Sequence, residues 1–354
     1  MGKLVLGALL SALVLTLAPA PDAAATETGD VATPVKKAAH KSHKRKKTAA
    51  VAAQPGERLV RRVVISHGKR KVIYERVARG APDPQSMGDQ AGLAQTRDPL
   101  DLKSNVAFVL DENSSEVLLE KNAAVALPIA SITKLMTGFI VVQSKQDMDE
   151  ILTITEDDVD HEKHTGSRLK VGTRMTRANL LHIALMSSEN RAAAALGRNY
   201  PGGRPAFVEA MNAKARELGM LDTHYVDSNG LSSRNVASAH DLAKLVAAAY
   251  QEPLLRQYST DPRAVVYAGN KPMQFGTTNY LVGMPDWQIG LQKTGYINEA
   301  GRCLVMHALI AGRNVIMVLL DSKGKLSRTA DAGRIRKWLE SVHATAPATP
   351  LGGS

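Results

Sequence analysis

The chain has 354 residues, with 45 Lys and Arg against 34 Asp and Glu and a formal charge of +11. Residues 31–90 hold 15 basic and 4 acidic residues, so the rest of the chain is near neutral, and with only 4% aromatic residues to stack on bases this argues against a nucleic-acid reader. The one cysteine, Cys303, excludes an internal disulfide and a cysteine-based zinc site, and its apolar neighbours suit a buried small hydrophobe.

Met1-Gly2-Lys3 precedes an apolar run from Leu4 to Leu17 and small residues up to Ala25. A charged start, a run short for a bilayer and Ala23 and Ala25 before a cleavage point predict an export signal over residues 1–25, with a retained anchor as the alternative. Either way the protein works outside the cytoplasm, without ATP. Residues 26–95 contain the basic run Lys41–Lys47 and read as a largely disordered basic tail. Within it Arg58 to Ala78 alternates in part, which leaves a hairpin and no structure as alternatives. The tail is either a solvated segment or a weak electrostatic tether, through residues 31–90, to anionic envelope polymers.

A folded domain is predicted over residues 96–342, with 343–354 a flexible end. Val106 to Leu110 and Glu116 to Glu120 flank Asp111-Glu112-Asn113-Ser114 as a hairpin would. Ser131 to Gln143 has apolar residues at helical spacing, and Leu180 to Met186, Arg191 to Arg198, Ala206 to Leu218 and Ser238 to Tyr250 also read as helices. Trp287 to Gln292, Cys303 to Ala311 and Val315 to Asp321 read as strands, the last two joined through Gly312-Arg313-Asn314, and Thr329 to Val342 is a closing helix. Strands early, helices in the middle and strands late predict an α+β fold: an antiparallel sheet, a helical subdomain and a cleft between them.

His161 and His164 lack the spacing of the helical zinc-protease motif, no G-x-S-x-G elbow occurs, and His240-Asp241 point apart on a helix. No metal and no cofactor is therefore called for. Ser-x-x-Lys occurs at Ser66, Ser131, Ser167 and Ser322, but only Ser131-Ile132-Thr133-Lys134 opens a predicted helix. There Lys134 lies on the same face as Ser131 and can reach its hydroxyl, while the helix N-terminus offers N–H groups to a developing oxyanion. The plainer reading makes Ser131 an N-cap and Lys134 a surface residue. Ser-x-Asn follows at Ser188-Glu189-Asn190, and less convincingly at Ser233-Arg234-Asn235. Lys293-Thr294-Gly295 occurs once, at the end of a predicted edge strand. Their order, Ser131 and Lys134, then Ser188 and Asn190, then Lys293, is the three-part signature of penicillin-interacting serine enzymes.

From about Asp98 to Glu340 the chain resembles the D-Ala-D-Ala carboxypeptidase/endopeptidase family of low-mass penicillin-binding proteins, and is most similar to its D-alanyl-D-alanine endopeptidase branch in Ala184–Ala193 and Gln292–Gly295. Glu189 departs from the Asp or Gly usual in carboxypeptidase relatives. The resemblance implies a β-lactamase/transpeptidase-like fold and a periplasmic serine peptidase. Ser131 would be the nucleophile, Lys134 its base, with a pKa lowered by desolvation and by a cationic Lys293, and Ser188 the proton relay. Asn190, Lys293, Thr294 and Gly295 would bind substrate, and the N–H groups of Ser131 and Tyr296 would form the oxyanion hole. The implied partners are peptidoglycan peptide cross-links and, as covalent inhibitors, β-lactams. The Ala/Thr/Pro/Gly-rich end after Ser341 leaves no expectation of a C-terminal anchor or second β-domain, which favours cleavage of D-Ala–diaminopimelate cross-links. The alternatives are a carboxypeptidase removing terminal D-Ala, a β-lactamase, for which no deacylating Glu is evident, and a non-hydrolytic wall-binding or penicillin-sensing protein.

Overall fold

The computed structural model describes the backbone of residues 57–66 and 69–78 and the chain from residue 85 to residue 345. The export signal, the tail up to residue 56 and the last residues of the flexible end lie outside the described residues. Two compact units divide at Arg79. In the first, β1 (Glu57–Ser66) and β2 (Lys69–Ala78) form an antiparallel hairpin that pairs Glu57 with Ala78 and Ser66 with Lys69. Of the two alternatives left open for Arg58 to Ala78, the structure takes the hairpin.

The second unit begins earlier than residue 96. A short helix, α1 (Met87–Gln90), is held to the body by Ser86 Oγ donating to Asp321 Oδ2 at 2.7 Å and by the Met87 N–H on the Glu299 carbonyl at 2.9 Å. Polar anchors separated by more than 200 residues are invisible to local pattern, which is why the sequence reading ended the tail too late. Next come β3 (Ser104–Asp111), β4 (Glu116–Lys121), β5 (Leu127–Pro128), a 3₁₀ turn (Ala130–Ile132) and α2 (Thr133–Gln143). The helical lobe continues through β6 (Ile151–Thr153), β7 (Arg174–Thr176), α3 (Arg177–Met186), α4 (Asn190–Arg198) and α5 (Gly203–Glu217). β8 (Val236–Ala237), α6 (Ala239–Tyr250), α7 (Pro253–Thr260) and the hairpin of β9 (Arg263–Ala268) with β10 (Lys271–Gly276) complete it. The chain then returns as β11 (Gln288–Ile297), β12 (Gly301–Ile310), β13 (Arg313–Ser322) and α8 (Ser327–Thr345). The expected order of strands, helices and strands is therefore present, with α7 and the β9–β10 hairpin added.

The main sheet has the order β11-β12-β13-β3-β4, antiparallel throughout. Because side chains alternate across a strand, β13 sends Ile316, Val318 and Leu320 into the core shared with the helical lobe. Val315, Met317 and Leu319 enter a second core against Ala332, Ile335 and Leu339 of α8. Both faces are covered, so the sequence of β13 is a continuous apolar run instead of an alternation. β12 and β13 are joined by Ala311-Gly312 alone, both at positive φ, so Arg313 and Asn314 belong to the strand and not to the turn. α2 departs further from its sequence pattern. Every residue from Thr133 to Val141 is buried, because α3, α4, α5, α6 and α7 all pack around it. Among the described residues no helix is long and apolar enough to cross a membrane.

Candidate active site

The folding of two short segments places two serines. Ser131 lies in the 3₁₀ turn that leads into α2, directly after Ala130, whose φ is +48°. Ser188 itself has φ +61° in the turn between α3 and α4, where the Glu189 N–H caps the Ile183 carbonyl. Left-handed backbone at non-glycine residues costs of order 1–2 kcal/mol, and it is found here at or beside both serines. Ser188 is not an N-cap, since Glu189 holds that place in α4.

Lys134 is fully buried, and its Nζ lies 2.7 Å from Ser131 Oγ, 2.7 Å from Asn190 Oδ1 and 2.5 Å from the Asn229 carbonyl. A neutral amine has two N–H bonds and one lone pair. Asn190 Oδ1 and the Asn229 carbonyl can only accept, so they take the two N–H bonds and leave the lone pair for the Ser131 hydroxyl proton. Burial lowers the Lys134 pKa to about 7, against the opposing pull of Asp227 and Glu189. Desolvation, one of the two causes the resemblance implied, is the dominant one; the repulsion between the two lysines is felt at Lys293.

Lys293, on β11, is also fully buried, and its Nζ donates to Ser188 Oγ at 2.9 Å and to the Thr294 carbonyl at 2.9 Å. Its pKa is driven well below the usual lysine range, first by burial and then by Lys134 and Arg328. Lys134 has carboxylates nearby and Lys293 has only neutral acceptors.

β11 is the edge of the sheet. The Gln292 N–H leaves that edge toward Ser259 Oγ at 3.3 Å, and the pairing with β12 is regular from Leu291 to Ile297. The period of two therefore turns the N–H groups of Thr294 and Tyr296 to the same open side. Gly295 makes the approach to Ser131 possible: a Cβ there would lie 2.8 Å from the Ile129 carbonyl oxygen and 3.1 Å from Ser131 N. Thr294 is nearly buried with its Oγ1 2.5 Å from Thr278 Oγ1, while Tyr296 is 51% exposed. These contacts bring the residues singled out in the sequence together: Lys134 joins Ser131 to Asn190, Lys293 holds Ser188, and Gly295 seats the strand carrying Lys293, Thr294 and Tyr296 against Ser131. Ser233-Arg234-Asn235 does not join them: Asn235 is a buried strut whose Oδ1 accepts the Val226 N–H at 2.7 Å and whose Nδ2 donates to Thr133 Oγ1 at 3.1 Å. His161 and His164 are exposed.

Asn229, Gly230 and Arg328 escaped the sequence reading, and Glu189 was noted there without a role. Asn229 acts through its backbone carbonyl, which carries no side-chain signature. Gly230 follows it at φ +79°, and a Cβ would lie 2.0 Å from the Ala130 carbonyl oxygen. Gly230→Ala is accordingly expected to displace the turn bearing Ser131, destabilising the fold by about 2 kcal/mol or more. Paired urea melts of the variant and the parent check this. Glu189 meets Ser167 and Asn190 Nδ2 donates to Thr165 Oγ1 at 2.9 Å, so the unusual glutamate fastens the loop of residues 160–170 beside the site. Arg328, from the first turn of α8, donates to the Gly295 carbonyl at 2.8 Å and has no carboxylate partner among the described residues.

A family model described as D-alanyl-D-alanine carboxypeptidase matches residues 93–324. A D-alanyl-D-alanine endopeptidase of Pseudomonas aeruginosa is 48% identical over 248 residues, 70% of this chain and 80% of the relative. One from Escherichia coli is 40% identical over 260 residues, 73% of this chain and 84% of the relative. Among solved structures, a Streptomyces DD-transpeptidase matches with a TM-score of 0.63 and 26% identity, covering 69% of this chain and 98% of that one. A penicillin-binding protein of Listeria monocytogenes in its cefotaxime-bound form matches with a TM-score of 0.61 and 29% identity, covering 70% and 100%.

Proposed function

Because the chain belongs to the D-alanyl-D-alanine carboxypeptidase family of serine peptidases, we propose that it is a DD-endopeptidase that hydrolyses D-Ala–diaminopimelate cross-links of peptidoglycan. The observation that carries the chemistry is the buried Lys134 amine, 2.7 Å from Ser131 Oγ with its two N–H bonds occupied elsewhere. Ser131 attacks the D-Ala carbonyl while its proton passes to Lys134. The oxyanion forms between the Ser131 and Tyr296 N–H groups. Ser188, hydrogen-bonded to Lys293, relays a proton to the departing amine, and the peptide bond breaks to leave an acyl-enzyme. Water releases the acyl group by the reverse use of the same base. β-Lactams acylate Ser131 by the same attack and block it.

The choice of cross-link over terminal D-Ala is supported by the names of the 48% and 40% identical relatives, whereas the named carboxypeptidases are more distant. Digestion of purified cross-linked muropeptides tests it. Conversion of dimers to monomers is the expected result, and loss of a terminal D-Ala alone would replace this reading with the carboxypeptidase one. Residues 1–25 are proposed to direct export to the periplasm, and residues 31–90 to add weak, salt-sensitive attraction to anionic envelope polymers.

Arg328 and Thr294 are proposed to hold the carboxylate beside the scissile bond, since a guanidinium there lacks an anion. Arg328→Gln should lower kcat/KM about 30-fold for a peptide with that carboxylate free, and much less for its amide. Steady-state kinetics on the two peptides provide the check.

A further inference from the structure

The edge strand leads past Tyr296 into a second cavity, of about 500 Å3, that the chemistry above does not use. Tyr296 and Arg302 face each other across β11 and β12, so their side chains share the α8 face of the sheet, and the Arg302 guanidinium stacks 4.5 Å from the Tyr296 ring. Arg302 and Lys325 line the cavity with no carboxylate partner among the described residues. The acids in its wall are already engaged. Asp89 binds Lys323 at 2.6 Å, and Asp321 accepts from Ser86 and from Asn105 Nδ2, each at 2.7 Å.

Arg302 also lies close enough to Arg328 to disfavour its charge. Two guanidiniums held near one another repel, and the arrangement gains free energy when an anion sits among them. We propose that this cavity is a subsite for a carboxylate of the substrate peptide remote from the scissile bond, held by Arg302 and Lys325. The inference rests on the peptidoglycan reading, because a γ-linked glutamate in the stem peptide carries such a free α-carboxylate. It gives the enzyme a reason to prefer long peptides over a minimal D-Ala-D-Ala fragment.

The test compares two cross-linked muropeptide dimers that differ only in whether the glutamate α-carboxylate is free or amidated. The full chain should cleave the free acid with about tenfold higher kcat/KM, mainly through KM. Arg302→Gln with Lys325→Gln should bring the two substrates to parity, and Arg302→Lys should restore part of the preference. Equal kinetics on the two dimers in the parent protein would overturn the subsite. Binding of both dimers to the Ser131→Ala protein separates the two readings. A tenfold affinity preference without any cleavage by the parent refutes the endopeptidase and keeps the subsite. Cleavage without a preference does the reverse.

Discussion

Ser131→Ala is expected to abolish covalent labelling by fluorescent penicillin and to lower kcat/KM on cross-linked muropeptides by about 10⁴-fold or more. The expectation follows from how the group is held. The Ser131 hydroxyl is part of the turn that enters a wholly buried helix, so its position relative to Lys134 is fixed by the packing of five other helices. Loss of the hydroxyl leaves Lys134 with its other two acceptors, so the fold itself should be little affected. A melting curve matching the parent, together with an intact mass that gains no penicillin adduct, is the combined result that supports the assignment. An adduct that persists in Ser131→Ala would assign acylation to another residue, with Ser188 the first to examine.

The order Ser131 and Lys134, Ser188 and Asn190, Lys293 to Gly295 was legible because each element is a short run whose residue types are dictated by chemistry. The sheet was legible for a similar reason: β13 is apolar from Val315 to Leu320, and β12 is apolar from Cys303 to Ile310 but for His307, as strands buried on both faces tend to be. The pattern around α2 was only half informative. Its apolar stripe at 132, 135, 136, 139 and 140 resembles a surface helix, yet Thr133, Lys134 and Thr137 are buried too. Those polar residues are there for hydrogen bonds that reach residues about 90 positions away, such as Thr137 Oγ1 donating to the Ser228 carbonyl at 2.6 Å. Local sequence holds no record of them. The same holds for Asn229, which contributes a carbonyl, and for Arg328, which reaches the Gly295 carbonyl only because α8 packs over β12 and β13. The charge excess was misleading in total and informative in place, since the residues around the cleft carry their own, separate cationic pattern.

Replacing Lys134 should be nearly as damaging as replacing Ser131, and its pH signature is more telling. With its pKa lowered to about 7 by burial, the amine is mostly protonated at pH 6 and mostly free at pH 8. Only the free amine can take the Ser131 proton, so the acylation rate should climb as pH rises through about 7 and level off above it. Lys134→Arg keeps a cation that does not deprotonate, and should lower the acylation rate about 10³-fold at every pH. Stability carries the same sign. In an unfolded chain this lysine holds its proton up to about pH 10.4, so between about 7 and there the unfolded state binds more protons than the folded one. The Lys134 contribution to folding therefore grows as pH rises across that window and is lost as pH falls through about 7. Lys134→Met removes this linkage, and its urea midpoint should vary less between pH 7 and 9 than that of the parent. A parent acylation rate that stays flat from pH 5 to 9 would mean that Lys134 is not the base. In that event Lys293, coupled to Ser188 at 2.9 Å, would be the group to test in its place.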